Sequence, residues 1–190
     1  MQTAPKLSIL AALGLVFGAA MAGEITDSGV FSTGAVNTSA GFLSTARQNV
    51  GVAEQNGKIR NTAVIVNGAV NTSTGFLATA NQSIARATQN GQISQTAIVA
   101  QGVNNTAAGF LSNANQEVGL AKDDGKVQGS FVGATGVSNV AGGFLASAHQ
   151  QIGGAQGSGK LTNSTVLATA QVNTAAGFLS TADQSVGVAK

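Results

Sequence analysis

The chain has 190 residues, a formal net charge of +2, charged side chains at only 8% of positions, 26 glycines, and no cysteine, tryptophan or tyrosine. So few and so scattered charges exclude a nucleic-acid partner, which needs clustered Lys and Arg to displace counterions. The lack of cysteine excludes disulfides and thiolate metal or redox sites, so stability must come from backbone pairing and packing.

Taken in chain order, Lys6 precedes an apolar run from Leu7 to Ala20, and Ala20, Met21 and Ala22 give the small-x-small pattern of a signal-peptidase site. Residues 1-22 are therefore predicted to be a secretory signal peptide, and the mature protein to be secreted, extracellular or at the cell surface. The run is short for a membrane span, and no later stretch reaches 18 uninterrupted apolar residues, so no transmembrane segment is expected in the mature chain.

From Gly23 onward the chain is an array. Gly-Phe-Leu begins at Gly41, Gly75, Gly109, Gly143 and Gly177, spaced 34 residues apart each time. The copies run 23-56, 57-90, 91-124, 125-158 and 159-190. Five copies without a slip in register imply that each residue sits beside its equivalent in the next copy. The expected fold is all-β: a repeat β-solenoid or cross-β stack of five 34-residue repeats. No catalytic constellation stands outside the repeats, so no enzyme activity, cofactor or metal is expected.

Within a copy, Lys58 to Asn67 and then Ala69 to Thr72 read as strands rich in β-branched residues. The boundary dipeptides Asn56-Gly57, Asn90-Gly91 and Asp124-Gly125 suit the positive φ of tight turns, and Ser158-Gly159 occupies the same place. The second half is ambiguous, because Phe76, Ala80, Ile84 and Ala87 also form a helical stripe, leaving a strand-plus-helix repeat as the alternative. Gly51, Gly119, Gly153 and Gly187 oppose a helix there and favour strand throughout. Thr62-Ala63 recurs 17 residues later as Thr79-Ala80, so one copy is either one long winding or two short rungs.

Identical columns predict vertical ladders, with amide side chains donating to one neighbour and accepting from the other. They are Asn37, Asn71, Asn105, Asn139 and Asn173; Gln48, Gln82, Gln116, Gln150 and Gln184; Phe42, Phe76, Phe110, Phe144 and Phe178; and Ala53, Ala87, Ala121, Ala155 and Ala189. Val30, Val64, Ile98, Val132 and Val166, with Val50, Ile84, Val118, Ile152 and Val186 and the Phe and Leu of Gly-Phe-Leu, are the expected dry core. Arg47, Asn81, Asn115, His149 and Asp183 form one variable column whose changing charge suits a solvent-facing ladder.

Val172, Asn173, Thr174, Ala175, Ala176 and Gly177, followed by Gln184, are similar to the repeat core of Fap-type biofilm fibre subunits. Gln101, Gly102, Asn104 and Gln116 follow the Gln, Gly, Asn, Gln order of curlin repeats. The chain thus resembles bacterial functional-amyloid subunits. That resemblance implies a homo-polymer: nucleated self-assembly outside the cell into cross-β fibres of a matrix or adhesive scaffold, with a nucleator subunit and an outer-membrane exporter as partners.

The alternative is a monomeric β-solenoid surface-binding protein. An ice-binding face would draw on the partial Thr column Thr38, Thr72, Thr106 and Thr174, which Val140 interrupts. An adhesin would need exposed aromatics. Asp123-Asp124-Gly125 could contact calcium, yet a single copy reads as a turn.

Overall fold

The copy boundaries reverse the chain as their composition requires. In the computed structural model, which describes residues 24–188, Gln55 and Asn56 both adopt a left-handed backbone, with φ of 49° and 72°. The Gly57 amide donates to the Glu54 carbonyl at 2.8 Å, closing a two-residue turn. Gln89-Asn90 and Asp123-Asp124 repeat this geometry, the latter pair acting as a turn, and Gly157 carries the positive φ at the fourth boundary. The glycine that follows has a separate reason: a Cβ at Gly91, Gly125 or Gly159 would collide with the carbonyl of Ala53, Ala87 or Ala121, near the end of the copy two before its own. The predicted signal peptide and Ala189 lie outside the described residues.

The first winding holds β1 (Glu24–Thr26), β2 (Gly29–Thr33), β3 (Val36–Ala40) and β4 (Leu43–Val50). The second holds β5 (Lys58–Arg60), β6 (Ala63–Asn67), β7 (Val70–Thr74) and β8 (Leu77–Thr88), and the third β9 (Gln92–Ser94), β10 (Ala97–Gln101), β11 (Asn104–Ala108) and β12 (Leu111–Lys122). The fourth holds β13 (Lys126–Gln128), β14 (Phe131–Thr135), β15 (Ser138–Gly142), β16 (Leu145–Ile152) and β17 (Ala155–Gln156). The fifth holds β18 (Lys160–Thr162), β19 (Thr165–Thr169), β20 (Val172–Ala176) and β21 (Leu179–Val186).

Every strand pairs in parallel with its equivalent one copy away, for example Val64 with Ile98 and Gln82 with Gln116. One copy is therefore one winding, and the chain is a β-solenoid. The windings stack into four sheets: β1-β5-β9-β13-β18, β2-β6-β10-β14-β19, β3-β7-β11-β15-β20, and β4-β8-β12-β16-β21, with β17 paired to β12.

The described residues contain no helix. The stripe Phe76, Ala80, Ile84, Ala87 runs along β8 instead, and the glycine column explains why. Gly51, Gly119, Gly153 and Gly187 take φ of 57° to 63°, turning each winding through a corner that a helix could not contain. Only the second winding places an alanine there, Ala85, at φ 52°.

Two other corners share this chemistry. Asp27, Asn61, Gln95, Gly129 and Asn163 are left-handed between the first two sheets. Each is followed by a hydroxyl: Ser28, Thr62, Thr96, Ser130 and Ser164 donate to the carbonyl two residues back, as Thr62 does to Arg60 at 2.7 Å. Gly34, Gly68, Gly102, Gly136 and Ala170 form the next corner.

The cross-section has two parts. In the body, Ile59, Val64, Val66, Ile84, Ile93, Ile98, Val118, Val132 and Ile152 are buried together with Ala53, Ala87, Ala121 and Ala155. The two expected Val/Ile columns thus line its apolar core. The other part is a narrow arch in which the third and fourth sheets face each other, and its buried apolar residues are alanines alone, among them Ala78, Ala80, Ala107, Ala114 and Ala148.

Candidate functional site

Between two sheets lined by Ala and Ser there is room for amides but not for large apolar side chains, and the arch interior is built around two amide ladders. Asn71, Asn105 and Asn139 are completely buried. Each Asn donates from Nδ2 to Oδ1 of the next: Asn37 to Asn71 at 2.9 Å, Asn71 to Asn105 at 2.7 Å, then Asn105 to Asn139 and Asn139 to Asn173 at 2.8 Å. The same amide group also donates across the arch to β4-sheet carbonyls, Asn105 to Ala80 at 3.0 Å and to Asn115 at 2.9 Å. Asn is suited to this position because its amide joins copies vertically and sheets horizontally at once.

The Gln ladder runs the other way. Gln82 donates to Gln48 at 2.6 Å, Gln116 to Gln82 at 2.8 Å, and Gln150 to Gln116 and Gln184 to Gln150 at 2.7 Å each. Asn side chains therefore donate toward the carboxy-terminal winding and Gln side chains toward the amino-terminal one. Nothing in the sequence announces this opposition, since both residue types carry both functions.

The Phe column stacks but is not core, which corrects the sequence expectation. Successive rings from Phe42 to Phe144 stack nearly parallel with centroids 5.0 Å apart, and Phe144 and Phe178 are 5.2 Å apart. Yet Phe110 in the middle winding is 44% exposed, and Phe42 and Phe178 at the ends are 69% and 77% exposed. The cause is the bend at residues 41–42, where the chain passes from the third sheet to the fourth. Phe sits on that tip, outside the alternation that turns Ser44, Ala46 and Gln48 inward along β4. The neighbouring Leu falls on the outward side, so Leu43 and Leu179 are exposed and the Leu column is not dry core either. The preceding glycines are required because a Cβ at Gly75, Gly109, Gly143 or Gly177 would strike the carbonyl of the same glycine one winding below. Together the Phe and Leu columns make an apolar ridge along the solenoid.

The column Arg47, Asn81, Asn115, His149, Asp183 faces outward on the fourth sheet, with Arg47, His149 and Asp183 exposed. His149 Nδ1 lies 3.1 Å from Asp183 and its Nε2 lies 2.9 Å from the Ser147 hydroxyl. Arg86 links three windings, reaching Glu54 at 2.6 Å and Glu117 at 3.3 Å. Among the described residues no group of His, Asp and Glu could hold a metal ion, and no helix is long and apolar enough to cross a membrane.

Among the described residues, no segment covers either end of the stack. The strands β1, β2, β3 and β4 on one side, and β18, β19, β20 and β21 on the other, each have one paired edge and one unpaired edge among the described residues. The apolar core column loses cover there: Val186 is 40% exposed, whereas its equivalent Ile152 in the fourth winding is buried. The end windings also resemble each other: residues 24–52 and 160–188 are identical at 18 of 29 positions, whereas windings that touch agree at 11 to 14 of the same 29. No family model, curated protein or solved structure matches the chain.

Proposed function

We propose that this protein is an exported structural subunit whose solenoids join end to end into extracellular amyloid-like fibres, serving as biofilm matrix or as an adhesive scaffold at the cell surface. The observation that carries this reading is the pair of end windings, each of which presents an unpaired edge among the described residues. A solitary solenoid protects its terminal strands with a polar cap or a covering segment, because unpaired edges with apolar side chains recruit other strands. Here the described ends carry neither, and they match each other more closely than any stacked neighbours do. A further copy added to either end would continue all four sheets. A nucleating subunit and an outer-membrane exporter are the partners such a fibre would need.

Purified protein should form unbranched fibres visible by negative stain, with a diffraction reflection near 4.7 Å along the fibre axis. A monomer that stays soluble for days at high concentration would overturn the reading.

One observation favours a second reading, a monomeric surface-binding solenoid. The Phe and Leu ridge is exposed along the whole stack, and Thr38, Thr72, Thr106 and Thr174 lie on the outward face of the third sheet, as an adhesin or an ice-binding face would present them. Replacing Phe76, Phe110 and Phe144 together by Ser separates the two. A fibre subunit keeps its assembly, whereas an adhesin loses binding to its surface.

A further inference from the structure

The two amide ladders run in opposite directions, so the two ends of the solenoid are chemically different. At the amino-terminal end, Asn37 Oδ1 has no donor among the described residues, and the Gln48 amide group has no ladder acceptor below it. At the carboxy-terminal end the situation is reversed. The Asn173 amide donates only to the Ala148 and Asp183 carbonyls, and Gln184 Oε1 receives nothing.

We infer that copies of this chain add head to tail only, the first winding of the next copy seated on the fifth winding of the one before in unbroken register. This inference rests on the fibre reading and specifies its junction. In that arrangement Asn173 donates to Asn37 of the next copy while Gln48 of the next copy donates to Gln184. Both ladders continue without a gap. Val172 meets Val36, Phe178 meets Phe42, and Val186 meets Val50.

The charges agree independently. Continuing the outward column of the fourth sheet sets Asp183 beside Arg47 of the next copy, and continuing the first sheet sets Lys160 beside Glu24. Both junction pairs are opposite in sign. Turning one copy over reverses its strand direction, breaks every column, and leaves Asn37 Oδ1 facing no donor. Charges of opposite sign at both positions favour the head-to-tail encounter, and the inverted one forms neither pair.

The chain has no cysteine, so introduced thiols report the junction cleanly. Thr38 and Thr174 are exposed on the outward face of the third sheet. Within one copy they are four windings apart, roughly 19 Å at 4.8 Å per winding, beyond the reach of a disulfide. Across a head-to-tail junction they are adjacent. Fibres of the double variant Thr38→Cys/Thr174→Cys, oxidised after assembly, should run as a covalent ladder on a non-reducing gel, and fibres of either single variant should give monomer. Dimers from a single variant would mean inverted junctions and would overturn the inference, as would wild-type fibres whose double variant stays monomeric. In both of those outcomes the fibre reading survives; absence of fibres from the wild type would overturn both.

The charge arm is separate. Arg47→Asp should slow elongation about tenfold at low salt, the lower range of electrostatic steering. Adding Asp183→Arg should restore it, and 1 M salt, where the Debye length is about 3 Å, should erase the difference. Equal rates for wild type and Arg47→Asp at low salt would overturn the junction pairing.

Discussion

At the residue scale, what matters is whether a side chain in a repeated column has partners above, below and across. Asn105 has all three. Asn105→Ala leaves Asn139 Oδ1 without its ladder donor, while the Asn71 amide keeps the Ala46 and Asn81 carbonyls, and should cost about 1 to 3 kcal/mol, the range for one buried unmet group. Asn105→Asp should be worse at neutral pH, because a carboxylate would face two carbonyls and Asn139 Oδ1 and cannot donate to any of them. Those acceptors raise the folded-state pKa of the new carboxyl above its unfolded value of about 3.9. The folded state then binds the proton more tightly, so the penalty grows as pH rises through the unfolded value and is relieved in acid. Urea titrations at pH 4 and pH 7 check this; a variant more stable at pH 7 contradicts the ladder geometry. Phe110→Ala should cost only about 1 to 3 kcal/mol, since the ring is half exposed and loses stacking on two neighbours worth roughly 0.5 to 1.5 each. A buried Phe would cost 3 to 5.

At the element scale, the corners decide how the chain winds. A non-glycine residue in the left-handed region is disfavoured by roughly 1 to 2 kcal/mol unless a short polar side chain compensates. Most corner positions respect this with Gly, Asn or Asp; Gln95, Ala85 and Ala170 do not, and the two alanines have no polar side chain at all. Ala85→Gly and Ala170→Gly should therefore each stabilise the solenoid by about 1 kcal/mol, against the usual direction for alanine replaced by glycine, and thermal melts read the sign directly. How much of this was legible in the sequence depends on the element. The period exposed the Asn, Gln, Val and Ile columns, because burial in register demands the same residue type at the same place. It marked the Gly51 column as unsuited to a helix but did not show that the glycines turn corners, since their φ is fixed only by the neighbouring winding. The Phe column was misread for a definite reason. Large apolar side chains recurring in register at Gly-Phe-Leu read as core, but the strand starts only at Leu43, which faces outward, and the bend before it frees the Phe ring to point outward. The direction of the two ladders was invisible, because it depends on which carbonyls the amides meet across the arch.

At the scale of the whole molecule, the solenoid's stability is a sum over windings and the contacts between neighbours, so its tolerance to deletion should depend on register rather than on length. Removing residues 91–124 brings the second winding onto the fourth. Val64 then lies under Val132, Ile84 under Ile152, Asn71 under Asn139 and Phe76 under Phe144, and the sheets close with their columns intact. The specific loss is the Arg86 contact to Glu117, while that to Glu54 remains, and a part-exposed ion pair of this kind is worth less than about 1 kcal/mol. Removing Val99 alone is the smaller change in mass and the larger one in physics. Ile98 and Ala100 point into the body from β10, while Val99 and Gln101 point outward. Without Val99, Ala100 takes the outward place and Gln101 the inward one, between the buried Val66 and Ala134, and the left-handed Gly102 corner arrives one residue early. Burying that amide without partners costs roughly 1 to 3 kcal/mol before any strain at the corner is added. The urea midpoint of the 91–124 deletion, corrected for its shorter length, should therefore stay near that of the parent, and that of the Val99 deletion should fall well below it. If the two deletions prove equally harmless, stacking in register does not hold this molecule together, and the 34-residue period records only how the gene was duplicated.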